Sequence, residues 1–371
     1  MKILHVIYDD LENPWLGGGG AVRANEINRR LAKTHDIQVL TGNYPNAENV
    51  NREGVQYTRV GSTHSYPISR LTFTANLPMA IRNSDCDLLV NDFSLFAPCF
   101  ATSDHQRPVV HMLHHILGRH ALKKYPVVGV LPWLFERIGF SQARQAITVS
   151  PSVQSALTPM LHPACTTWCV PNGVDQSLFD ASPADNGYLA FLGRLDIYMK
   201  GLDNLLDAMV LLQRTHNVKL KIAGWGPERN RLLLENKIEE LDLGTTVTLV
   251  GSVDDTEKCT LLSDATLVCV PSRFEGWGIV AIEAAAAGKA VVGTDIPGLR
   301  DAIVDGETGL LAPADDPAAF AGMVAQLLDD PDRRNQLAEA GRQRARQYQW
   351  EQIAAQQEQI YETVLTESQA L

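Results

Sequence analysis

The stretch TLVCVPSRFEGWGIVAIEAAAAGKAVVG, residues 266–293, decides the fold. It predicts a strand over 266–270, a glycine-bearing loop, an alanine-rich helix that ends at Gly288, and a second strand over 289–293. Apolar strands that are joined through a helix are typical of a parallel sheet covered on both faces. The same alternation of short apolar runs and longer helical runs continues on either side of this unit.

The rest of the chain repeats this pattern in two halves. A linker rich in Pro, Gly, Asp and Asn is predicted near 171–187. Because 371 residues exceed a typical domain of roughly 100–200, we predict an α/β protein with two Rossmann-like, doubly wound domains, at 1–175 and 185–349. Ligands are expected in the crevice between them, at the carboxyl ends of the strands. Strands are predicted at 2–8, 36–41, 55–60, 87–91, 108–113, 145–150, 187–193, 218–223, 246–250, 266–270 and 289–293, and helices at 21–34, 202–215 and 349–366.

The composition excludes several classes of protein. With 43 acidic and 32 basic residues the formal charge is −11, so nucleic acid is not an expected partner, because binding to phosphate backbones relies on clustered Lys and Arg. No apolar run approaches the ~20 residues of a membrane-spanning helix, and the N-terminal MKILHVIYDD is typical of a first strand rather than a signal peptide. The six cysteines lack paired spacing and are expected to be reduced thiols in a cytoplasmic protein.

Residues 266–293 also carry two glutamates and a helix start that could bind a ligand. Glu275 lies in the loop, and Glu283 lies about two helical turns further on, in a helix that is otherwise apolar. A carboxylate buried there needs a partner, whereas a surface position would make Glu283 an ordinary solvated residue. The backbone amides at the helix start are polarised for binding an anion or a ring of hydroxyls, and the loop glycines let a ligand approach them.

Two cations follow the strand at 187–193. In FLGRLDIYMKG, residues 191–201, Arg194 and Lys200 flank a short loop before the helix at 202–215. At the carboxyl end of a strand they are placed to hold a diphosphate, Arg through a fork of donors and Lys as a point charge. The alternative is that both are solvated surface charges.

Two further motifs lie in the first half. The run GGGG at 17–20 predicts a flexible loop over a phosphate or sugar. It is not the dinucleotide fingerprint, because about ten residues separate it from the strand and no acidic residue ends the second strand to hold a ribose. The second motif, HMLHH at 111–115, ends a predicted strand. A metal site is one interpretation of it, although no Asp, Glu or Cys lies at ligand spacing.

Together these motifs resemble those of the family 4 glycosyltransferases, which have the GT-B fold of two facing Rossmann-like domains. The resemblance covers nearly the whole chain and is strongest over 170–312. Glu275 and Glu283 match the family's two glutamates separated by seven residues. Trp225 stands where a polar or acidic residue is usual, and Asp301 where Glu is common. The segments that carry the resemblance, in the family's order, are VPNGVDQSLF, FLGRLDIYMKGLDNLLDAM, KIAGWGPERNRL, FEGWGIVAIEAAAAGKAVVGTD and DGETGLL.

The resemblance implies a role for each residue of the second half. Arg194 and Lys200 would neutralise the diphosphate as it leaves. Glu275 would hold hydroxyls of the donor sugar near the reacting centre, and Glu283 would hold those of the ribose. The other implied donor-binding positions are backbone amides near the helix start and the glycine loop: Gly276, Trp277, Gly278, Ile279, Gly18 and Gly19.

In the first half the resemblance implies a histidine that touches the donor sugar. His114 matches this position best, at the end of a strand. His111 and His115 remain alternatives, because the family often has Asp after this histidine whereas His115 follows here. The C-terminal helix within 350–371 would return to the first domain, which would bind the acceptor, while the second domain would bind the nucleotide sugar.

The implied reaction is transfer of a hexose-type sugar from a nucleotide-diphosphate donor to a hydroxyl acceptor, with retention of configuration and with no metal or other cofactor. A sugar-nucleotide epimerase of the same fold is the first alternative. An NAD-dependent oxidoreductase and a nucleotide-binding module without catalysis are the others. The missing dinucleotide fingerprint disfavours the oxidoreductase.

The acceptor is indicated by residues 119–144. This segment, RHALKKYPVVGVLPWLFERIGFSQAR, carries five Lys and Arg against one Glu, with a run rich in Val, Leu, Trp and Phe. The pattern predicts either a segment that lies on an anionic membrane surface and meets a lipid-linked acceptor, or a core helix with a solvated basic face. A growing glycan is the other expected acceptor, and the expected location is the cytoplasm, at the inner face of the membrane if the acceptor is a lipid.

Overall fold

The computed structural model describes residues 1–94, 107–114 and 130–369, with only the backbone described at 130–133. The chain divides into two compact units. Unit 1 comprises Met1–Asn172 and Trp350–Leu371, and unit 2 comprises Gly173–Gln349. The chain therefore leaves unit 1 for unit 2 and returns to unit 1 in its final helix.

Unit 1 is built on an eight-stranded sheet with the order β3-β4-β2-β1-β5-β6-β7-β8. Neighbouring strands are parallel, except that β3 and β4 are antiparallel. The strands are Lys2–Val6 (β1), Asp36–Gly42 (β2), Val50–Arg52 (β3), Val55–Val60 (β4), Leu88–Asp92 (β5), Val109–Leu113 (β6), Gln145–Thr148 (β7) and Thr166–Cys169 (β8). The described helices are Gly19–Leu31 (α1), Tyr66–Arg82 (α2), Val130–Gln142 (α3), Pro151–Leu157 (α4) and, at the end of the chain, Trp350–Gln369 (α13).

Unit 2 is built on a six-stranded parallel sheet with the order β11-β10-β9-β12-β13-β14. The strands are Tyr188–Leu192 (β9), Lys219–Ala223 (β10), Val247–Gly251 (β11), Leu267–Val270 (β12), Val291–Thr294 (β13) and Leu310–Ala312 (β14). The helices are Gln176–Asp180 (α5), Leu202–Leu212 (α6), Glu228–Glu240 (α7), Asp255–Ser263 (α8), Ile279–Ala286 (α9), Pro297–Ala302 (α10), Pro317–Asp329 (α11) and Pro331–Ala345 (α12).

The sheet of unit 2 is covered by helices on both faces, and its central strand is buried for this reason. The four residues of β12 are Leu, Val, Cys and Val, and all four are buried, as expected of a central parallel strand. Leu206 and Met209 of α6 and Val324 of α11 belong to the same apolar core as Leu267 of β12. Amphipathic helices therefore bury their apolar faces against an apolar sheet.

Each sheet has a point where the strand order reverses. In unit 1 this point lies between β1 and β5, and in unit 2 it lies between β9 and β12. Open α/β sheets bind ligands at the carboxyl ends of the strands that flank such a point, because the connecting loops diverge there and leave a crevice. The fold therefore directs attention to the loops that follow these four strands.

The predicted fold class, with two parallel-sheet α/β units, is confirmed, and each predicted strand overlaps an observed one. Sequence analysis missed β3, β8 and β14. Of these, β3 and β14 have three residues each, and β8 (TTWC) is partly exposed, so none of them forms a continuous apolar run of ordinary length. Among the described helices, none combines the length and apolarity that crossing a bilayer requires.

Candidate functional site

Lys200 and Glu275 form an ion pair at the reversal point of unit 2. Lys200 follows β9 and Glu275 follows β12, and these two strands are parallel neighbours, so their loops meet at one edge of the sheet. The distance from Lys200 Nζ to Glu275 Oε1 is 2.5 Å, and Ser272 Oγ donates to the same oxygen at 2.8 Å. Both side chains are largely buried, with 21% and 15% of their area exposed. The sequence-predicted cation and carboxylate are therefore brought together.

The loops that carry this pair are locked to each other. The Arg273 N–H donates to the Met199 carbonyl at 3.0 Å, and the Arg273 guanidinium holds both oxygens of Asp203 at 2.7 and 2.8 Å. Gly201 has φ +63°, and a Cβ added there would lie 1.9 Å from the Pro271 carbonyl oxygen. Only glycine allows this approach without a clash. The loop after β9 is therefore fixed against the loop after β12.

The start of α9 follows the loop that carries Glu275. Gly278 is the N-cap residue, with φ +77°, and no side-chain cap closes this described helix start. In any α-helix the first amides have no carbonyl of their own helix to bond, and they carry partial positive charge. Trp277 is buried with its ring 5.0 Å from that of Tyr348, so only its backbone is placed to meet a ligand.

Glu283 is not a surface residue. Its side chain is 14% exposed, and its Oε1 lies 3.2 Å from Nζ of Lys258 on α8. Lys258 also contacts Asp255 at 3.0 Å, and the nearby charge of Glu283 is the main reason why the pKa of Lys258 rises above its usual range. Sequence analysis missed Lys258, because nothing in the sequence of α8 indicates which residue of α9 it meets.

Arg194 is the sequence-predicted residue that is not brought into these pairs. Its side chain is exposed, whereas Lys200 in the same loop is mostly buried. Unit 2 thus presents two paired lysines, two largely buried carboxylates, a helix start without a side-chain cap and an exposed arginine. Positive groups suit an anionic ligand group, and buried carboxylates suit hydroxyls, so the arrangement can bind a ligand that carries both.

The glycine segment of unit 1, Gly17–Gly20, is not a loop throughout. Helix α1 begins at Gly19, with Gly18 as its N-cap, so the prediction that Gly19 lies in a flexible loop is wrong. The Gly18 N–H donates to Asp9 Oδ2 at 3.0 Å, which fixes the segment to the loop after β1. Sequence analysis missed Asp9. The signal available was its place just after β1, at the carboxyl edge of the sheet, where polar side chains are typical of ligand sites.

The structure separates the three candidate histidines. His114, directly after β6, has its Nε2 2.9 Å from both carboxylate oxygens of Asp92, the last residue of β5. His111 lies inside the sheet, where burial lowers its pKa to about 4 and keeps it neutral. His115 lies outside the described residues. Within 1–94, 107–114 and 130–369, no group of three or more His, Cys, Asp or Glu side chains is arranged to hold a metal ion.

Asp9 should make the protein less stable at neutral pH than an asparagine would. Burial raises the pKa of Asp9 to about 6, above its unfolded value of about 3.9, so the folded chain keeps a proton that the unfolded chain loses. The stability contributed by that proton is present below about pH 4 and is lost as the pH rises through 6. We therefore expect Asp9→Asn to raise the free energy of unfolding by about 1–3 kcal/mol at pH 7.5 and by almost nothing at pH 4.

Thermal or denaturant unfolding of the two proteins at both pH values tests this expectation. Asp36→Asn, at an exposed position on the same sheet, serves as the control and should show no such difference. An Asp9→Asn protein that is less stable at pH 7.5, or equally shifted at both pH values, would contradict the assignment.

Family models match most of the chain in two consecutive parts. Residues 17–178 match the model described as Glycosyltransferase Family 4, and residues 178–344 match the model described as Glycosyl transferases group 1. The boundary between the two matches lies in the segment where the chain passes from unit 1 to unit 2.

Two curated relatives illustrate the similarity in sequence. The chain is 32% identical over 271 residues to the glycogen synthase of Mycobacterium tuberculosis, a match that covers 68% of this chain and 63% of the relative. It is 35% identical over 205 residues to the phosphatidyl-myo-inositol mannosyltransferase of Mycobacterium leprae, covering 53% of this chain and 54% of the relative. The matched part thus spans less than two thirds of either relative.

Solved structures show the same fold over almost the full chain. Sucrose-phosphate synthase from Thermosynechococcus elongatus superposes with a TM-score of 0.82 at 21% identity, covering 99% of this chain and 100% of that one. Anabaena HepE in complex with UDP-glucose gives a TM-score of 0.79 at 21% identity, with coverage of 99% and 100%. The fold is therefore that of the GT-B glycosyltransferases. Because the two family models together match residues 17–344, this chain belongs to glycosyltransferase family 4.

Proposed function

We propose that the chain transfers a hexose-type sugar from a nucleotide-diphosphate donor to a hydroxyl acceptor, with retention of configuration. The observation that carries this proposal is the largely buried Lys200–Glu275 pair beside the start of α9, since it joins a cation for phosphate to a carboxylate for sugar hydroxyls. The names of the similar proteins support it: one is a mannosyltransferase, and a structural neighbour is a complex with UDP-glucose.

Charge stabilisation is the main catalytic contribution in this proposal. The bond between the sugar C1 and the diphosphate oxygen breaks, which leaves negative charge on the diphosphate and positive character on C1. Lys200, Arg194 and the amides of α9 are fixed positive groups at the place where the negative charge develops. The acceptor hydroxyl attacks C1 on the face that the diphosphate leaves, and its proton passes to a phosphate oxygen. Atoms and charge then balance without a metal.

The remaining side chains hold the donor. Glu283, oriented by Lys258, accepts hydrogen bonds from the ribose hydroxyls, while Glu275 does so from the hydroxyls of the sugar. The backbone amides of Gly276, Trp277, Gly278 and Ile279 bind the sugar and the diphosphate. In unit 1, His114 contacts the transferred sugar, and Gly18 and Gly19 approach the donor through their backbone.

A donor screen tests the reaction class. The protein is incubated with UDP-, GDP- and ADP-sugars, and we expect one of them to raise the midpoint of thermal unfolding, because a ligand that binds only the folded state stabilises it. With that donor and a glycan or lipid acceptor, NMR of the product should show the anomeric configuration of the donor, and EDTA should leave the rate unchanged.

Other outcomes would contradict parts of the proposal. An inverted anomer would exclude retention, and loss of activity in EDTA that Mg²⁺ restores would exclude the metal-free reaction. Release of epimerised free donor without any acceptor product would identify an epimerase. Tight binding of a donor without turnover, over a range of acceptors, would indicate a nucleotide-binding module.

The proposed acceptor is a lipid-linked sugar or a growing glycan, and the proposed location is the cytoplasm, at the inner face of the membrane. Residues 119–129 of the predicted membrane segment lie outside the described residues, whereas α3 exposes Leu134 and Ile138 one helical turn apart. Sedimentation with liposomes tests the surface: binding to vesicles with anionic lipid, and not to neutral ones, is expected. Equal failure to bind either kind would instead favour the core helix with a solvated basic face.

A further inference from the structure

We propose that Asp92 is a positioning residue that holds the neutral ring of His114 in the tautomer with its proton on Nε2. The ring atom left for a ligand is then Nδ1, which accepts a hydrogen bond. That His114 meets the transferred sugar rests on the proposed function, whereas the tautomer is a property of the ligand-free chain and is testable without any substrate.

The contact follows from the topology of unit 1. Asp92 ends β5 and His114 follows β6, and these strands are parallel neighbours in which Asp92 pairs with Met112. Both side chains therefore leave the carboxyl edge together. His114 Nε2 lies 2.9 Å from Asp92 Oδ1 and 2.9 Å from Oδ2, so a single N–H is shared by the two oxygens of one carboxylate.

The carboxylate can only accept a hydrogen bond here. Burial by itself would raise the pKa of Asp92, but its contacts with His114 and His5 reverse this and hold the pKa below its usual range. An ionised carboxylate has no proton to donate, so the nitrogen that faces it must carry the hydrogen. The tautomer of a histidine is set by the partner of its other nitrogen in this way.

A second histidine, His5, lies near Asp92. His5 of β1 lies with its Nε2 3.6 Å from Asp92 Oδ2, and its Nδ1 is 2.9 Å from the Asn28 side-chain amide nitrogen. Asn28 belongs to α1, the helix whose first residues are Gly19 and Gly20. His5 therefore lies between Asp92 and helix α1. His114 also lies near the start of α1, since a Cβ added at Gly20 would be 3.5 Å from His114 Nε2.

The orientation has a consequence for the kind of group that His114 recognises. A neutral ring with Nδ1 unprotonated accepts from a donor, and a sugar hydroxyl is such a donor whereas a carboxylate is not. The geometry therefore favours a donor sugar with a hydroxyl at the point of contact over one with a carboxylate there.

Nitrogen NMR of the ligand-free protein tests the tautomer directly. The ten histidines are labelled with ¹⁵N, and the His114 signals are assigned by their loss in His114→Gln. At alkaline pH we expect a protonated Nε2 and an unprotonated Nδ1. A His114 ring protonated on Nδ1 would overturn the proposal whatever the reaction of the protein is.

The variant Asp92→Asn tests whether the Asp92 carboxylate sets the tautomer of His114. An amide can donate as well as accept, so a population with the proton on Nδ1 should appear, and kcat/KM for the donor found in the screen should fall by about 10–100-fold, as when the partner of a functional histidine is removed. Asp36→Asn is the matched control and should change neither reading. An Asp92→Asn protein that keeps a single Nε2–H tautomer would overturn the proposal. An unchanged kcat/KM despite a changed tautomer would instead contradict the contact between His114 and the sugar, which belongs to the proposed function.

Discussion

Replacing Lys200 with alanine should lower turnover by roughly 10²–10³-fold, the size of effect that follows the loss of one fixed group at a developing charge. Lys200 Nζ is held 2.5 Å from Glu275 in loops that Arg273 and Gly201 lock together, so the charge is in place before the donor arrives. Single-turnover transfer and donor hydrolysis measure the effect. The exposed Lys219, on the same sheet, gives the control Lys219→Ala, which should react at the wild-type rate.

A substitution at Glu275 distinguishes a role of Lys200 in binding the diphosphate from a purely structural role of the Lys200–Glu275 pair. In the ligand-free chain Glu275 competes with a diphosphate for Lys200, so Glu275→Gln should retain or tighten the binding of a nucleoside diphosphate while transfer falls. Lys200→Ala should weaken that binding in both backgrounds. If Lys200→Ala binds the nucleoside diphosphate and transfers sugar as the wild type does, Lys200 does not act on the diphosphate.

Replacing Arg23 with alanine should destabilise unit 1 by about 3–5 kcal/mol, because three acceptors, two of them on buried side chains, lose their donor and a cavity remains. Arg23 of α1 is fully buried, and burial lowers its pKa to about 10. Its guanidinium donates to the Pro171 carbonyl at 2.5 Å, to Asn172 Oδ1 at 3.1 Å and to Gln357 Oε1 at 2.6 Å. One side chain thus ties α1 to α13 and to the last residues before unit 2.

Hydrogen exchange shows which part of unit 1 is destabilised by Arg23→Ala. We expect Arg23→Ala to lose amide protection over α13 in addition to its lower unfolding free energy. Arg29→Ala is the matched control on the same helix, since Arg29 is part-exposed and pairs with Glu26 on the surface, where ion pairs contribute about 0–1 kcal/mol. Wild-type protection of α13 in Arg23→Ala would show that other contacts anchor this helix.

The strands and the candidate site residues of unit 2 were predicted best from the sequence. Near-continuous apolar runs such as 266–270 are unambiguous because they are buried on both faces. Lys200 and Glu275 were predictable because each lies in the loop that follows such a strand, and parallel neighbours bring their following loops to one edge. Glu283 was found because a lone carboxylate in an apolar helix requires a partner.

The partners themselves could not be predicted from the sequence. Lys258 meets Glu283 across two helices, and Asp92 meets His114 across two strands, so each pair depends on a register that local patterns do not specify. The glycine segment shows a different limit. Four glycines are typical of a flexible loop, yet α1 begins at Gly19, where Asp9 holds the N-cap amide, so a tertiary hydrogen bond overrides a weak local propensity.

A crystal structure with a bound nucleoside diphosphate tests the central claim most directly. If unit 2 binds the donor as proposed, diphosphate oxygens will lie at hydrogen-bonding distance, about 2.7–3.2 Å, from Lys200 Nζ and the first amides of α9, with the ribose hydroxyls on Glu283. A nucleotide whose phosphates lie away from Lys200 and whose ribose does not reach Glu283 would contradict it.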